Sequence, residues 1–187
     1  MYVRLDLMCW ETDDVNLIMS FFFLGWGLGV FTILMPDQFG RKNLMKVVLP
    51  LQIFAAYLTC FGESTAVVKT GFFLQGLLHT RITVCNMHSI ELVEDQHKPF
   101  MSTCINVFDS SMIMVCCVVV KNFCKDMDKV LQVWWLIGSI ACVLYLALVP
   151  ESPRWLFMQK SNNKEGIESM NYVAWANGSE FRVPDNA

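Results

Sequence analysis

Two stretches of the chain, Asn16 to Met35 and Val130 to Val149, each run for 20 residues without a charge. A helix needs ~20 apolar residues to cross ~30 Å of hydrocarbon, so both predict membrane spans. Leu44 to Gly62 carries only Lys46, in its first turn, where a long side chain can snorkel to the headgroups. Met101 to Val120 is apolar apart from Asp109 near its middle, and Ala66 to Ile90 has the length of a span while carrying Lys69 and Arg81. The pattern predicts an all-α, polytopic membrane helix bundle with spans 16–35, 44–62, 66–90, 101–120 and 130–149. A non-cytoplasmic segment, 1–15, precedes the bundle, and a polar tail, 150–187, follows it. Ile167, Met170 and Ala174 fall at helical spacing in that tail and predict a short amphipathic helix ended by Gly178.

Composition agrees with lipid as the solvent: 55% of the residues are hydrophobic and 17% charged, outside the range of soluble domains. The net charge of −3 comes from scattered groups with no basic stripe, which excludes nucleic acid as a partner. Five spans put the chain ends on opposite sides. Eight basic residues (Arg41, Lys42, Lys46, Lys98, Arg154, Lys160, Lys164, Arg182) fall on one face and five (Arg4, Lys69, Lys121, Lys125, Lys129) on the other. Retention of Lys and Arg in the cytoplasm then places the amino end outside and the carboxyl end inside. Asn177-Gly178-Ser179, a glycosylation sequon, would face the cytoplasm unmodified.

Of eight cysteines, six lie within apolar runs and read as small hydrophobes. Cys9 and Cys124 lie outside the runs, on the predicted external face, where they could oxidise. His79, His88 and His97 are nine residues apart and lack neighbouring ligands, so no metal is expected. No nucleophile, phosphate-loop or zinc-protease motif is present, so neither an enzyme nor a cofactor is predicted.

A carboxylate halfway along a membrane helix costs on the order of 2.5–3.5 kcal/mol unless it faces protein or water. Asp109 forms a polar stripe with Ser102, Asn106 and Ser110, and Gln75, His79, Thr83 and Asn86 form a similar stripe on 66–90. Both are candidate linings of one water-filled cavity, with Asp109 a candidate cation site. Arg81 and Asp109 also lie at similar depths from the same end of adjacent helices, so an intramembrane ion pair is an equal alternative. His79 is a candidate for proton coupling. Gly25-x-x-x-Gly29 predicts close helix packing.

Two loops carry longer motifs. Asp37-Gln38-Phe39-Gly40-Arg41-Lys42 follows the first span, and Pro150-Glu151-Ser152-Pro153-Arg154-Trp155-Leu156 follows the fifth. Gly40 permits a positive-φ turn between antiparallel helices, and Asp37 is placed to cap a helix. The first motif resembles the Asp-Arg-x-Gly-Arg-Arg/Lys signature of major facilitator superfamily transporters. The second resembles the Pro-Glu-Ser-Pro-Arg-Trp-Leu signature of their sugar porters and organic cation transporters. Glu91 followed by Lys98 is a softer match, and the tail from Asn163 to Gly178 is similar to the family's helical linker. The departures are Gln38 for the family's Arg, Ile33 for a Gly and Phe72 for an Arg.

The resemblance covers roughly residues 16–180 and implies helices two to six of twelve, an incomplete N-terminal half of the family fold. It also implies that Asp37, Arg41 and Lys42 form a latch. Glu91, Lys98, Glu151 and Arg154 would form a cytoplasmic charge network that opens and closes with transport. The expected function is translocation of a small organic solute, a cation or sugar, by alternating access in the plasma membrane, by a chain that is a fragment or pairs with a second chain supplying missing helices. The alternative is a non-transporting membrane assembly partner or an inactive relic.

Overall fold

The computed structural model describes residues 12–122, 127–159, 164–179 and 182–184. Every regular element among them is helical. The helices are α1 (Thr12–Gly29), α2 (Met35–Phe39), α3 (Arg41–Phe61), α4 (Thr65–Leu77), α5 (Arg81–Glu91), α6 (Lys98–Asn122), α7 (Met127–Leu148), α8 (Pro153–Gln159) and α9 (Lys164–Ala176). Four are long and apolar enough to cross a membrane: α1 with its continuation through α2, then α3, α6 and α7. Cys9 and Cys124 lie outside the described residues.

The segment expected as one helix over 66–90 is instead divided into α4 and α5 by a turn at Leu78–Thr80. There the amides of His79, Arg81 and Ile82 each bond the carbonyl three residues back, a tighter winding than the α-helix. A second irregularity, the 3-10 turn Val30–Leu34, interrupts the first span. The two meet: Thr32 Oγ1 lies 2.7 Å from Thr80 Oγ1, and Thr32 also donates to the Gly29 carbonyl. Polar backbone exposed at both breaks is thus partly satisfied within the protein, as a lipid environment requires.

Glycines bring the helices together. A Cβ on Gly25 would sit 2.1 Å from the Phe73 carbonyl oxygen, and one on Gly76 would sit 2.0 Å from that of Phe22. Gly29 faces Leu77 in the same way, so the predicted glycine pair on α1 does pack, and its partner is α4. On the other side of α4, Gly71 abuts Thr59 of α3. From α7, Trp135 Nε1 donates to the Ile53 carbonyl of α3 at 3.1 Å. Fully buried residues are few. Ile18 and Val68 form one small cluster, and Met45, Leu49 and Val84 form another against Cys142 and Tyr145. Phe23, Phe31, Phe108 and Val143 remain exposed, as expected of helices that face lipid.

In the tail, α9 forms where predicted and Gly178 follows it with φ +71°. Its packed face is Gly166, Ile167 and Ser169, whereas Met170 is 40% exposed, so the expected face is turned by part of a turn.

A candidate functional site where the loops of the bundle meet

The α2–α3 connection is a one-residue corner. Gly40 has φ +93° and ψ +150°, a conformation almost confined to glycine. A Cβ there would also lie 3.0 Å from Glu151 Oε2 and 3.1 Å from the Trp155 ring. With no side chain at this position, the first amides of α3 need an acceptor from elsewhere. Glu151 supplies it. Its Oε1 accepts from the Lys42 amide at 2.9 Å and from the Ser152 amide at 3.2 Å, and its Oε2 accepts from the Asn43 amide at 3.2 Å. A carboxylate at a helix N-terminus also meets the positive end of the helix dipole. Asp37, expected as a possible cap, does not cap α3.

Asp37 instead pairs with Arg41, whose Nη2 lies 3.0 Å from Asp37 Oδ1 and 3.0 Å from Glu91 Oε1. The Arg41 and Glu91 side chains are each 13% exposed, so this contact lies largely out of water, while Asp37 is exposed. Arg41 thereby joins α2 to the end of α5. Glu91 Oε2 is buried without a hydrogen-bond partner.

Side chains from the fifth-span end lock the corner further. Trp155 Nε1 donates to the Asp37 carbonyl at 2.9 Å. Ser152, fully buried, accepts from the Trp155 amide and caps α8. Ser169 of α9 donates to the Glu151 carbonyl at 2.6 Å. Trp155, Ser152 and Ser169 were not singled out from sequence. The first two stand inside the recognised seven-residue motif, whereas nothing in the spacing of α9 marked Ser169.

The expected network is therefore partly assembled. Asp37, Gly40, Arg41, Lys42, Glu91 and Glu151 come together, Lys42 through its backbone amide. Lys98 pairs instead with Asp95, three residues away, and holds the exposed Asp95 carboxyl below the usual carboxylate range. Arg154 is exposed and lines, with Glu94 and Asp95, a cleft between α9 and the α5–α6 connection.

Gln75 and His79, expected on one stripe, have different surroundings. Gln75 Nε2 donates to Thr59 Oγ1 of α3 at 2.7 Å, whereas His79 packs edge-on to Phe22 and Trp26 of α1 at 5.8 and 5.1 Å between ring centres. His79 stands in the turn at 78–80, which separates Gln75 from Asn86, half-buried on α5. On α6, Asn106 and Asp109 are exposed, with Asn106 Nδ2 donating to the Ser102 carbonyl. Arg81 and Asp109 form no ion pair within 4.0 Å: Arg81 lines a cavity beside α3 and α7, and Asp109 is exposed on α6. Among the described residues no group of three or more His, Cys, Asp or Glu could hold a metal.

The family model described as "Sugar (and other) transporter" matches residues 8–182. The chain is 27% identical over 159 residues to the organic cation/carnitine transporter 2 of Homo sapiens, covering 82% of this chain and 28% of that protein. It is 26% identical over 178 residues to solute carrier family 22 member 1 of Oryctolagus cuniculus, covering 92% of this chain and 31% of the relative. Against solute carrier family 22 member 2 of Mus musculus the figures are 24% over 180 residues, 95% and 32%. The chain thus spans less than a third of the length of these relatives.

Proposed function

Because this chain belongs to the sugar (and other) transporter family of the major facilitator superfamily, we propose that it contributes five membrane helices to a transporter moving a small organic solute by alternating access. The observation that carries this reading is the corner at Gly40, where Glu151 reaches across 109 residues to cap α3 while Arg41 holds Glu91. Such a joint fixes the ends of several helices relative to one another at one end of the bundle, and it consists of polar contacts that can be exchanged. Charge-assisted hydrogen bonds of this kind are worth ~1.5–3 kcal/mol each, enough to bias two arrangements without locking either.

The solute-facing surface in this reading is the exposed face of α6 that carries Asp109. Asn106, Asp109 and Ser110 lie exposed there, and further helices would close a cavity over them. A carboxylate exposed on a membrane helix favours a cationic solute, and one relative is named for organic cations and carnitine.

The experiment compares tetraethylammonium uptake into liposomes by this chain alone and by the chain continued with the remaining helices of the human organic cation/carnitine transporter 2. Uptake by the continued protein, with loss on Asp109→Asn at equal surface expression, is the expected result. A folded, inserted chimera that never moves the cation would overturn the reading in favour of a non-transporting assembly partner. Uptake by the chain alone would overturn the contribution of only five helices.

A further inference from the structure

Between the start of α3 and α9 lies a recess of about 430 Å³, with Lys42, Asn43, Lys46, Glu165, Glu168 and Tyr172 in its wall. It sits at the level of the lipid headgroups. Lys42 and Lys46 stand in the first two turns of a spanning helix, where a long cationic side chain reaches the membrane surface. Tyr172 Oη donates to the carbonyl of Leu148, the last residue of another spanning helix, at 3.0 Å. Tyr172 and Trp175 are both exposed, with ring centres 5.8 Å apart, and such amphipathic rings settle at the membrane–water interface.

The wall carries charges of both signs without joining them. The Lys42 ammonium and the Glu168 carboxylate make no hydrogen bond or ion pair with any described residue, so they stand more than 4.0 Å apart, and Lys46 Nζ donates to Asn43 Oδ1. Both sides are held by Glu151: its Oε1 accepts from the Lys42 amide, and its carbonyl accepts from Ser169, the neighbour of Glu168. From the recess an apolar track continues along α3. Asn43, Val47, Leu51 and Phe54 follow one another by four, four and three residues and so share a helix face, and the last three are exposed.

We infer that this recess binds one molecule of phosphatidylethanolamine. Lys42 and Lys46 take the phosphate, Glu168 accepts from the ammonium with Glu165 beside it, and an acyl chain lies along Val47, Leu51 and Phe54. A choline headgroup has the same charges but no N–H to donate, and a glycerol headgroup has no cation, so the site discriminates against both. Bound there, the lipid bridges α3 and α9 beside Glu151 and steadies the corner at Gly40. The inference rests on the chain spanning a membrane and not on the solute it moves.

The test offers the purified full chain, in detergent, equal amounts of phosphatidylethanolamine, phosphatidylcholine and phosphatidylglycerol with the same acyl chains, and reads the retained lipid by native mass spectrometry. Phosphatidylethanolamine is expected to be retained roughly tenfold over each of the others, the ratio that one charge-assisted hydrogen bond supplies. Glycerophosphoethanolamine, the headgroup without chains, should not displace it at equal concentration. In nanodiscs of phosphatidylethanolamine, amides 165–172 should exchange hydrogen several-fold more slowly than in nanodiscs of phosphatidylcholine. Glu168→Ala should remove the preference over phosphatidylcholine, and Lys42→Gln with Lys46→Gln, which keeps the Lys42 amide, should weaken retention of all three lipids. Equal retention on the unmodified chain, preference for phosphatidylglycerol, displacement by glycerophosphoethanolamine, or a preference without slower exchange in α9 would overturn the inference. So would a preference that survives Glu168→Ala in a folded protein. The lipid comparison and the exchange measurement need no variant, so a failure of either variant to fold leaves them decisive.

Discussion

Gly40 and Arg41 are adjacent residues with different kinds of importance. At Gly40 the backbone itself is the constraint, because φ +93° with ψ +150° costs a residue with a Cβ ~1–3 kcal/mol. Gly40→Ala should therefore lower stability in detergent by about that amount, with added strain from Glu151 and Trp155. Gly27→Ala, at a site with nothing within 4 Å, is the control and should be close to neutral in the same thermal unfolding measurement. At Arg41 the constraint is charge: removing it leaves Glu91 largely buried with neither oxygen bonded to a cation. Arg41→Gln should cost ~2–3 kcal/mol, and Arg41→Gln with Glu91→Gln should cost less than the sum of the single changes. Additive losses in that double-mutant cycle would show that the two side chains act independently. These residues were legible in sequence because both stand in motifs of fixed spacing. Arg81 and Asp109 were matched by depth, which sets a level along two helices and does not set the 4.0 Å approach of an ion pair.

Between elements, the N-terminus of α3 depends on a distant carboxylate. Glu151→Ala removes the acceptor for the Lys42 and Asn43 amides and should cost ~0.5–2 kcal/mol, the range for loss of a helix cap. Glu151→Gln keeps one acceptor oxygen and should fall between the two. Hydrogen exchange at the Lys42 and Asn43 amides checks this directly, since it should quicken in Glu151→Ala while amides in the middle of α3 stay protected. Four long helices were readable from apolar length, but the division of 66–90 was not. No proline marks the turn at Leu78–Thr80, and the nearby Gly76 is explained by its contact with Phe22. The turn is joined to a second break on α1 by the Thr32–Thr80 contact, a tertiary relation that no local pattern announces. The same limit hid Ser169, whose partner is a backbone carbonyl 18 residues away.

For the whole molecule, the basic residues predict that the end of the bundle carrying Gly40, Glu151 and α9 lies in the cytoplasm. A membrane-inserted chain made with microsomes should then carry no glycan at Asn177, which is exposed in the turn after α9. An endoglycosidase-sensitive shift in mass that disappears in Asn177→Gln would reverse the orientation. The same end of the bundle has a consequence for the order in which the protein is made. The α3 amides are synthesised 109 residues before the carboxylate that caps them, an interval of roughly 5–20 s at ~5–20 residues per second. During that interval α3 begins at an open corner, and the ribosome has already delivered α4 through α7 before the corner can close. Residues 151–155 therefore arrive as a late seal on helices already made, and a nascent chain stalled before Glu151 would hold α1 through α7 with the corner at Gly40 still undone.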